Sequence, residues 1–293
     1  MERSTIKSAH LWALAFLLPT IIGLLIFRLV PIVWSFGLSF TEWQIFDTPR
    51  FVGFDNYVNI FTSPTTLRVF ATTAWFTMMY VPGVILLALL LAVTLNQAHR
   101  SMAFFRGAFF LPFITSTVAI TLTWRWIFST KFGLLNNAFD WVGIDANPAW
   151  LADPSYALPA IAIVSIWRDC GFYMLLLLAG LQTIDPEYYD AAKMDGATTW
   201  QQFRLITLPL LSRSLFFVLI IALIRSTQTF DITYALTQGG PNGSTTTLAF
   251  AIYLRAFVNF DMGFAAALSY ILCVALGLLT LINFYFRKRW VHE

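Results

Sequence analysis

The chain has 293 residues, of which 58% are hydrophobic, 17% are aromatic and only 11% are charged. Soluble domains carry about 25% charged residues. The mean hydropathy of +0.72 agrees that there are too few charges to coat a water-facing globule of this size. These values exclude soluble, disordered, collagen-like and coiled-coil proteins and leave an integral membrane protein. A net charge of +3 is too small to predict a nucleic-acid partner.

Six apolar stretches are long enough to cross a bilayer, which requires about 20 apolar residues per helix. The fourth contains Arg168 and Asp169, and the fifth contains Arg225 and Asp231. Both still qualify as spans, because such charges can face a cavity or another helix. In chain order, the predicted spans are about 11–40, 70–97, 107–128, 157–181, 213–236 and 262–286. We therefore predict an all-α integral membrane fold of six transmembrane helices in a single transmembrane domain, 1–293.

The lysines and arginines predict the orientation of these spans. Most of those outside the spans fall in the segments 1–10, 96–106, 182–213 and 287–293, which all lie on one side of a six-span protein. Cytoplasmic loops carry the excess of basic residues. We therefore predict that both termini are cytoplasmic. The first stretch is too long for a signal peptide and has no small-residue cleavage site after it, so we expect a retained helix.

The inner connection between the fourth and fifth spans is longer than a simple helical hairpin needs. Asp185 is a good N-cap and is followed by Pro186, a favoured first helical residue. Gly196 then favours a break, because glycine adopts the left-handed conformation that ends helices. Thr199 and Gln202 have the spacing of a capping box for a second helix. Segment 185–209 thus predicts two short cytoplasmic helices with a sharp bend between them.

The segment contains Asp190-Ala191-Ala192, then three residues and Gly196, then nine residues and Ile206, and after one more residue Leu208-Pro209. This spacing resembles the "EAA" loop of permease subunits of binding-protein-dependent ABC importers. One departure is Asp190, where the family usually has Glu. The resemblance implies that the loop couples the spans to an ATPase subunit by sitting in a cleft of that subunit. The coupling residues it implies are Glu187, Asp190, Ala191, Ala192, Asp195, Gly196, Ile206, Leu208 and Pro209.

A second set of segments resembles carbohydrate-uptake permeases of the maltose-transporter type. It includes residues 53–57, 179–182, 237–241 and the following stretch to Gly263. The resemblance implies a type I importer fold in a bacterial inner membrane, surrounded by lipid. It also implies four kinds of partner: a second related permease, two ABC ATPases, an extracytoplasmic solute-binding protein and a carbohydrate substrate.

The chain itself has no ATP-binding loop of the Walker A kind. That loop requires a lysine directly after a glycine, and none of Lys7, Lys131, Lys193 and Lys288 has this neighbour. We therefore expect no cofactor in this chain, with ATP and Mg²⁺ bound by the partner ATPase. The two cysteines and three scattered histidines form no metal-ligand or catalytic pattern, so we do not expect an enzyme.

Polar and aromatic residues in the middle of the fourth and fifth spans are candidates for the sugar pathway. Aromatic rings suit the faces of a sugar, and polar tips fix its hydroxyls. The candidates are Ser165, Arg168, Asp169, Phe172, Arg225, Ser226, Gln228, Thr229 and Asp231. The resemblance places six of them at or near pathway positions: Ser165, Arg168, Asp169, Phe172, Ser226 and Thr229.

Two questions about these charges stay open at the level of sequence. The charges can be purely structural ion pairs, Arg225 with Asp169 or Arg168 with Asp231. Two arginines would also suit an anionic saccharide or a glycerol-phosphate-like substrate, although two aspartates balance them.

A secondary transporter driven by protons or sodium is a more distant alternative, which would be expected to show paired broken helices and a carboxylate relay. A membrane scaffold, the last alternative, would need no polar residues in mid-span.

Overall fold

The computed structural model describes residues 16–96, 100–143 and 147–290. The predicted positions of both chain ends, and the first residues of the first span, lie outside this part of the chain. The chain divides into two compact units, 1–63 with 252–271 and 64–251 with 272–293, which are taken in turn below. The single domain inferred from sequence stays a prediction.

The first unit begins with helix α1, Phe16–Leu38, which includes a π-helical segment at Leu25–Leu29. A short antiparallel pair follows, β1 at Thr41–Glu42 and β2 at Arg50–Phe51, and then helix α2, Asp55–Thr62. The sequence did not predict these three elements, because strands of two residues and a helix of eight leave no periodic signal.

The rest of the first unit comes from the other end of the chain. It contains the end of a helix that spans Leu248–Val258 and the start of another that spans Met262–Trp290. The Met262 N–H donates to Trp43 O at 2.9 Å, and Gln44 pairs with Asp261 as an isolated β-bridge. A Cβ at Gly263 would collide with the carbonyl oxygen of Thr41, so only glycine permits this approach.

Two long helices dominate the second unit. They are α3, Pro64–Leu95, and α7, Pro154–Leu181, and their side chains build the core. Phe76, Tyr80 and Tyr173 are each at most 1% exposed. Large aromatic side chains fill the contact between these two helices, because each of them buries a large apolar area. The bounds of both helices include nearly all of the predicted spans 70–97 and 157–181.

The third predicted span, 107–128, is not one continuous helix. The structure has α4, Arg100–Ile114, and α5, Thr117–Ile127, with a bend of 96° between them. Pro112 lies just before the break, and a proline removes a backbone donor and crowds the preceding turn. Hydropathy missed the break because Thr115 and Ser116 barely change the apolar average. The short helix α6, Leu134–Trp141, follows.

The fifth predicted span, 213–236, is also interrupted. Two short helices that precede it, α8 at Pro186–Met194 and α9 at Thr199–Leu210, lead into α10, Ser212–Thr227. The chain leaves helical geometry at 228–230 and resumes in α11, Asp231–Leu236. Non-helical backbone at membrane depth is tolerated where protein buries it or a cavity adjoins it.

The last helices are α12, Leu248–Val258, and α13, Met262–Trp290. Within the described residues, four helices are long and apolar enough to cross a membrane, or up to six if each bent pair forms one span. The predicted all-α membrane fold is confirmed, with two of its spans bent rather than straight.

Candidate functional site

The predicted coupling segment folds as two helices joined by a bend. Asp185 Oδ1 accepts the Glu187 N–H at 3.0 Å and caps α8, as its position before Pro186 predicts. Gly196 follows α8 with φ of +78°, which lies in the left-handed region that favours glycine. The hydroxyls of Tyr189 and Thr207 lie 3.0 Å apart and join the two helices.

The capping box of the second helix lies one residue earlier than predicted. Thr198, not Thr199, is the N-cap: its Oγ1 accepts the Gln201 N–H at 3.3 Å, and its own N–H donates to Gln201 Oε1 at 2.7 Å. Both registers satisfy the same spacing, because two threonines stand together and two glutamines follow them. Gln202 instead donates its side-chain amide to Ala197 O at 3.0 Å.

The exposed surface of the coupling segment combines acidic with apolar side chains. Glu187, Asp190, Ala191, Asp195 and Gly196 are exposed, and Asp190 forms an ion pair with Lys193 of the same helix at 2.9 Å. Three large apolar side chains near the bend are also strongly exposed: Met194 is 89%, Trp200 67% and Leu205 69% accessible. Ala192, Ile206, Leu208 and Pro209 are partly buried. Exposed apolar groups beside carboxylates form a surface suited to a protein partner.

A charged cluster lies in the middle of α7. The Arg168 guanidinium forms a two-pronged contact with Asp169, at 2.8 Å and 3.3 Å, and donates to Asp231 Oδ2 at 2.7 Å. Thr117 donates its hydroxyl to the same Asp231 oxygen at 3.0 Å. One cluster therefore joins α7 to the first residues of α5 and α11, the two helices that follow the breaks.

Asp169 is the deeply buried member of this cluster. Its side chain is 3% exposed, whereas that of Asp231 is 48% exposed. Tyr80 on α3 donates its hydroxyl to Asp169 Oδ2 at 2.7 Å, and the Tyr173 hydroxyl lies 3.4 Å from that of Tyr80. A buried carboxylate is tolerated when ion pairs and hydrogen bonds satisfy it, and Asp169 has both.

Arg225 on α10 has an aromatic environment instead of a carboxylate. Its guanidinium carbon lies 4.9 Å from the ring centre of Phe113 and 5.1 Å from that of Phe172. The two rings are stacked, with centres 4.7 Å apart and planes at 10°. Arg225 forms no ion pair with a carboxylate of the described residues. Of the two ion pairs considered from sequence, Arg168 with Asp231 is present and Arg225 with Asp169 is not.

The remaining pathway candidates differ in accessibility. Ser165 and Ser226 are at most 2% exposed, and their hydroxyls bond to Ile161 O and Leu223 O, each at 2.8 Å. Ser226 also accepts the Thr77 hydroxyl at 3.0 Å. Gln228 is exposed within the helix break, and Thr229 beside it is partly buried.

Hydrogen bonds from the loop that follows α11 hold the break in the fifth span. Thr247, fully buried, donates its hydroxyl to Thr229 O at 2.7 Å. The next N–H, of Leu248, donates to Thr73 Oγ1 on α3 at 2.9 Å. The carbonyl that the break frees therefore has a hydrogen-bond donor, which satisfies the need to pair buried backbone groups.

Sequence reasoning missed three residues of this site: Tyr80, Phe113 and Thr117. Thr117 had a usable signal, because Thr115-Ser116-Thr117 after Pro112 is a cluster of residues that interrupts helices. Phe113 and Tyr80 had none, because their role depends on which helices pack together.

Comparison with known proteins decides the family. The model of the family described as binding-protein-dependent transport system inner membrane component matches residues 59–290. The chain belongs to this family. The resemblance read from the coupling segment is therefore confirmed, and the chain is an inner-membrane component of a transport system.

Individual members of the family match nearly the whole chain. The probable ABC transporter permease YesP of Bacillus subtilis is 37% identical over 100% of this chain and 96% of its own. The lactose transport system permease LacF of Rhizobium radiobacter is 35% identical over 92% of each. A crystal structure of a bacterial ABC transporter that imports the acidic polysaccharide alginate matches with a TM-score of 0.85 and 26% identity, covering 99% of both chains.

Proposed function

We propose that this chain is the transmembrane permease subunit of an ATP-driven importer that takes up a carbohydrate by alternating access. The family match supports the importer class, and the relatives named for lactose and alginate transport support a saccharide substrate. One observation of this chain carries the proposal. The ion pair of Arg168 with Asp231, and the Arg225 guanidinium over the stacked rings of Phe113 and Phe172, lie within spans that otherwise are apolar.

The chemistry of that cluster suits a sugar. A pyranose offers flat C–H faces, which pack on aromatic rings, and hydroxyls, which bond to charged and amide side chains. The accessible members are Arg168, Phe172, Arg225, Gln228, Thr229 and Asp231. We assign the buried Ser165, Asp169 and Ser226 to support of the pathway walls in this conformation, because their polar atoms already have protein partners.

The coupling segment 185–209 is the proposed contact with an ATPase subunit. ATP and Mg²⁺ bind to that subunit, and its closure moves α8 and α9. The bend after α9, of 67°, carries the movement into α10. The complete importer contains a second related permease, two ATPases and an extracytoplasmic binding protein, with both ends of this chain in the cytoplasm. A similar alginate transporter crystallised with a saccharide-bound periplasmic protein supports the last partner.

A variant of the bend tests this coupling. In Gly196→Val a β-branched residue must adopt φ of +78°, at about 1–2 kcal/mol. We expect reduced attachment of the ATPase or reduced uptake per ATP. Ala197→Val places the same β-branched side chain one residue later, where φ is not positive, and should behave like the unchanged chain. Equal uptake and attachment in both variants would contradict the role of the bend.

An anionic saccharide is the second candidate substrate, and Arg225 is the observation that favours it. Arg168 is paired with two aspartates, whereas the Arg225 guanidinium forms no ion pair with a described residue and lies over two aromatic rings. A guanidinium held over rings keeps its N–H groups available for a carboxylate or sulfonate. The acidic polysaccharide carried by the structural relative is consistent with such a substrate.

Uptake measured for two variants of Arg225 distinguishes an anionic from a neutral substrate. Arg225→Gln removes the charge and Arg225→Lys keeps it. For an anionic substrate, Arg225→Gln should lose at least about tenfold more uptake of uronate oligosaccharides than of lactose or maltose, and Arg225→Lys should retain part of it. Equal loss for charged and neutral saccharides would reject the anionic candidate and leave the neutral one.

A further inference from the structure

Arg168 divides its guanidinium between two carboxylates that differ in accessibility. Its Nε and Nη2 donate to Asp169, whose side chain is 3% exposed, and its Nη1 donates to Asp231 Oδ2 at 2.7 Å. Asp169 is also held from inside the protein by the hydroxyl of Tyr80, at 2.7 Å. The side chain of Asp231, by contrast, is 48% exposed. Of the two contacts, the one with Asp231 therefore lies where a ligand can replace it.

Asp231 binds Arg168 in the way that the carboxylate of an acidic sugar would. Its Oδ2 accepts one N–H of the guanidinium and also the Thr117 hydroxyl, at 3.0 Å. A charge-assisted hydrogen bond together with a hydroxyl donor is a common way to recognise a ligand carboxylate. Thr117 is the first residue of α5 and Asp231 is the first residue of α11, so both helix breaks end at this carboxylate.

Arg225 lies close to the same face of α7. Arg168 and Phe172 are four residues apart, which places them on one face of the helix. The Arg225 guanidinium carbon lies 5.1 Å from the ring centre of Phe172. The two arginines are therefore near successive turns of α7, a separation that an oligosaccharide can bridge. Within the part of the chain that the structure describes, one of the two is paired with carboxylates and the other is not.

We propose that Asp231 substitutes for a substrate anion at Arg168 and thereby determines how strongly the pathway discriminates between neutral and anionic saccharides. Its charge repels a ligand carboxylate and occupies the N–H group that would bind it. A neutral saccharide meets no such repulsion, and its hydroxyls can donate to Asp231. Thr117 is a positioning residue that keeps Asp231 on Arg168. The inference rests on the proposed function, since it assumes that a saccharide passes along this face of α7.

The test measures the affinity of the purified, complete transporter for digalacturonate and for maltose, by saturation-transfer NMR titration. No binding protein is added, so its own selectivity does not enter the result. Asp231→Asn removes the charge, keeps the shape and leaves Arg168 paired with Asp169. The dissociation constant of digalacturonate, divided by that of maltose, should fall by about fivefold. Thr117→Val should lower this ratio less, and Thr117→Ser, which keeps the hydroxyl, should leave it unchanged.

Glu42→Gln is the matched control, because it removes the carboxylate of another arginine pair, 3.2 Å from Arg50, in the first unit. It changes the net charge equally and should leave the ratio unchanged. A double variant, Asp231→Asn with Arg225→Gln, locates the new anion site. Compared with Arg225→Gln alone, it should still show the fall in the ratio, because that site is Arg168.

Three results would overturn the proposal. They are an unchanged ratio in Asp231→Asn, a shift of the same size in Glu42→Gln, and loss of the effect in the double variant. Binding of neither saccharide by any variant would overturn it as well. Failure of the unchanged transporter to take up any saccharide would instead contradict the proposed function itself.

Discussion

Removal of Arg168 is expected to destabilise the protein far more than removal of its accessible partner. The side chain of Asp169 is 3% exposed. In Arg168→Gln its carboxylate loses the ion pair and keeps the hydrogen bond from Tyr80, at 2.7 Å. Breaking a buried pair by removing one partner costs about 3–5 kcal/mol. Asp231→Asn removes a carboxylate whose side chain is 48% exposed. Exposed pairs contribute only about 0.2–1 kcal/mol, and Arg168 keeps its two-pronged contact with Asp169.

A double variant distinguishes the stability lost to an unpaired buried charge from the stability lost to poorer packing. In Arg168→Gln with Asp169→Asn, no buried carboxylate is left unpaired, and Asp231, with a side chain that is 48% exposed, can be solvated by water. Most of the lost stability should therefore return. The measurement is the apparent melting temperature of the purified transporter, followed as loss of the monodisperse fraction after heating. Equal destabilisation by Arg168→Gln and Asp231→Asn, or a double variant no more stable than Arg168→Gln, would refute the reasoning.

Three further predictions follow from single hydrogen bonds and from one ring pair. Thr198→Ala should speed amide exchange in peptides covering α9, because loss of an N-cap costs about 0.5–2 kcal/mol, while Thr199→Ala should change exchange little. Thr247→Val leaves the Thr229 carbonyl without its donor and should lower stability by about 1–3 kcal/mol; Thr123→Val, whose hydroxyl is exposed and bonds only within its own helix, is the control in the same melting assay. Phe113→Leu should weaken saccharide-stimulated ATP hydrolysis through loss of the stacked ring, and unchanged stimulation would count against the aromatic platform.

The spans could be predicted from sequence because apolar length is a local property. The apolar runs that became α3 and α13 are continuous, and the run that became α7 contains only two charged residues, so each was long enough to be recognised as a span. The breaks after Ile114 and Thr227 escaped the same reasoning. Each depends on a few polar residues whose effect on hydropathy is small, and on donors such as Thr247 that lie elsewhere in the chain.

The charged residues of the candidate site could be predicted from sequence, but which of them form ion pairs could not. Charges inside apolar runs had to find partners, so Arg168, Asp169, Arg225 and Asp231 stood out. Two arginines and two aspartates allow more than one arrangement. The structure pairs Arg168 with both aspartates and places Arg225 against aromatic rings, because α4 brings Phe113 beside α7. Such packing leaves no trace in residue spacing.

The coupling segment was likewise predicted only in part. Asp185, Pro186 and Gly196 each stand alone, and their capping and turn roles were predicted at the correct residue. Thr198 and Thr199 compete for one role, and so do Gln201 and Gln202. Spacing alone cannot distinguish the two registers, because both place a glutamine three residues after a threonine.

Uptake into sealed vesicles tests the central claim most directly, namely that this chain is a gate moved by a separate ATPase. Vesicles that contain the complete transporter and its loaded binding protein should accumulate saccharide when ATP is supplied to the ATPase side. They should not accumulate it when a proton or sodium gradient replaces ATP. Accumulation by this chain alone under an ion gradient, with no ATPase present, would contradict the account.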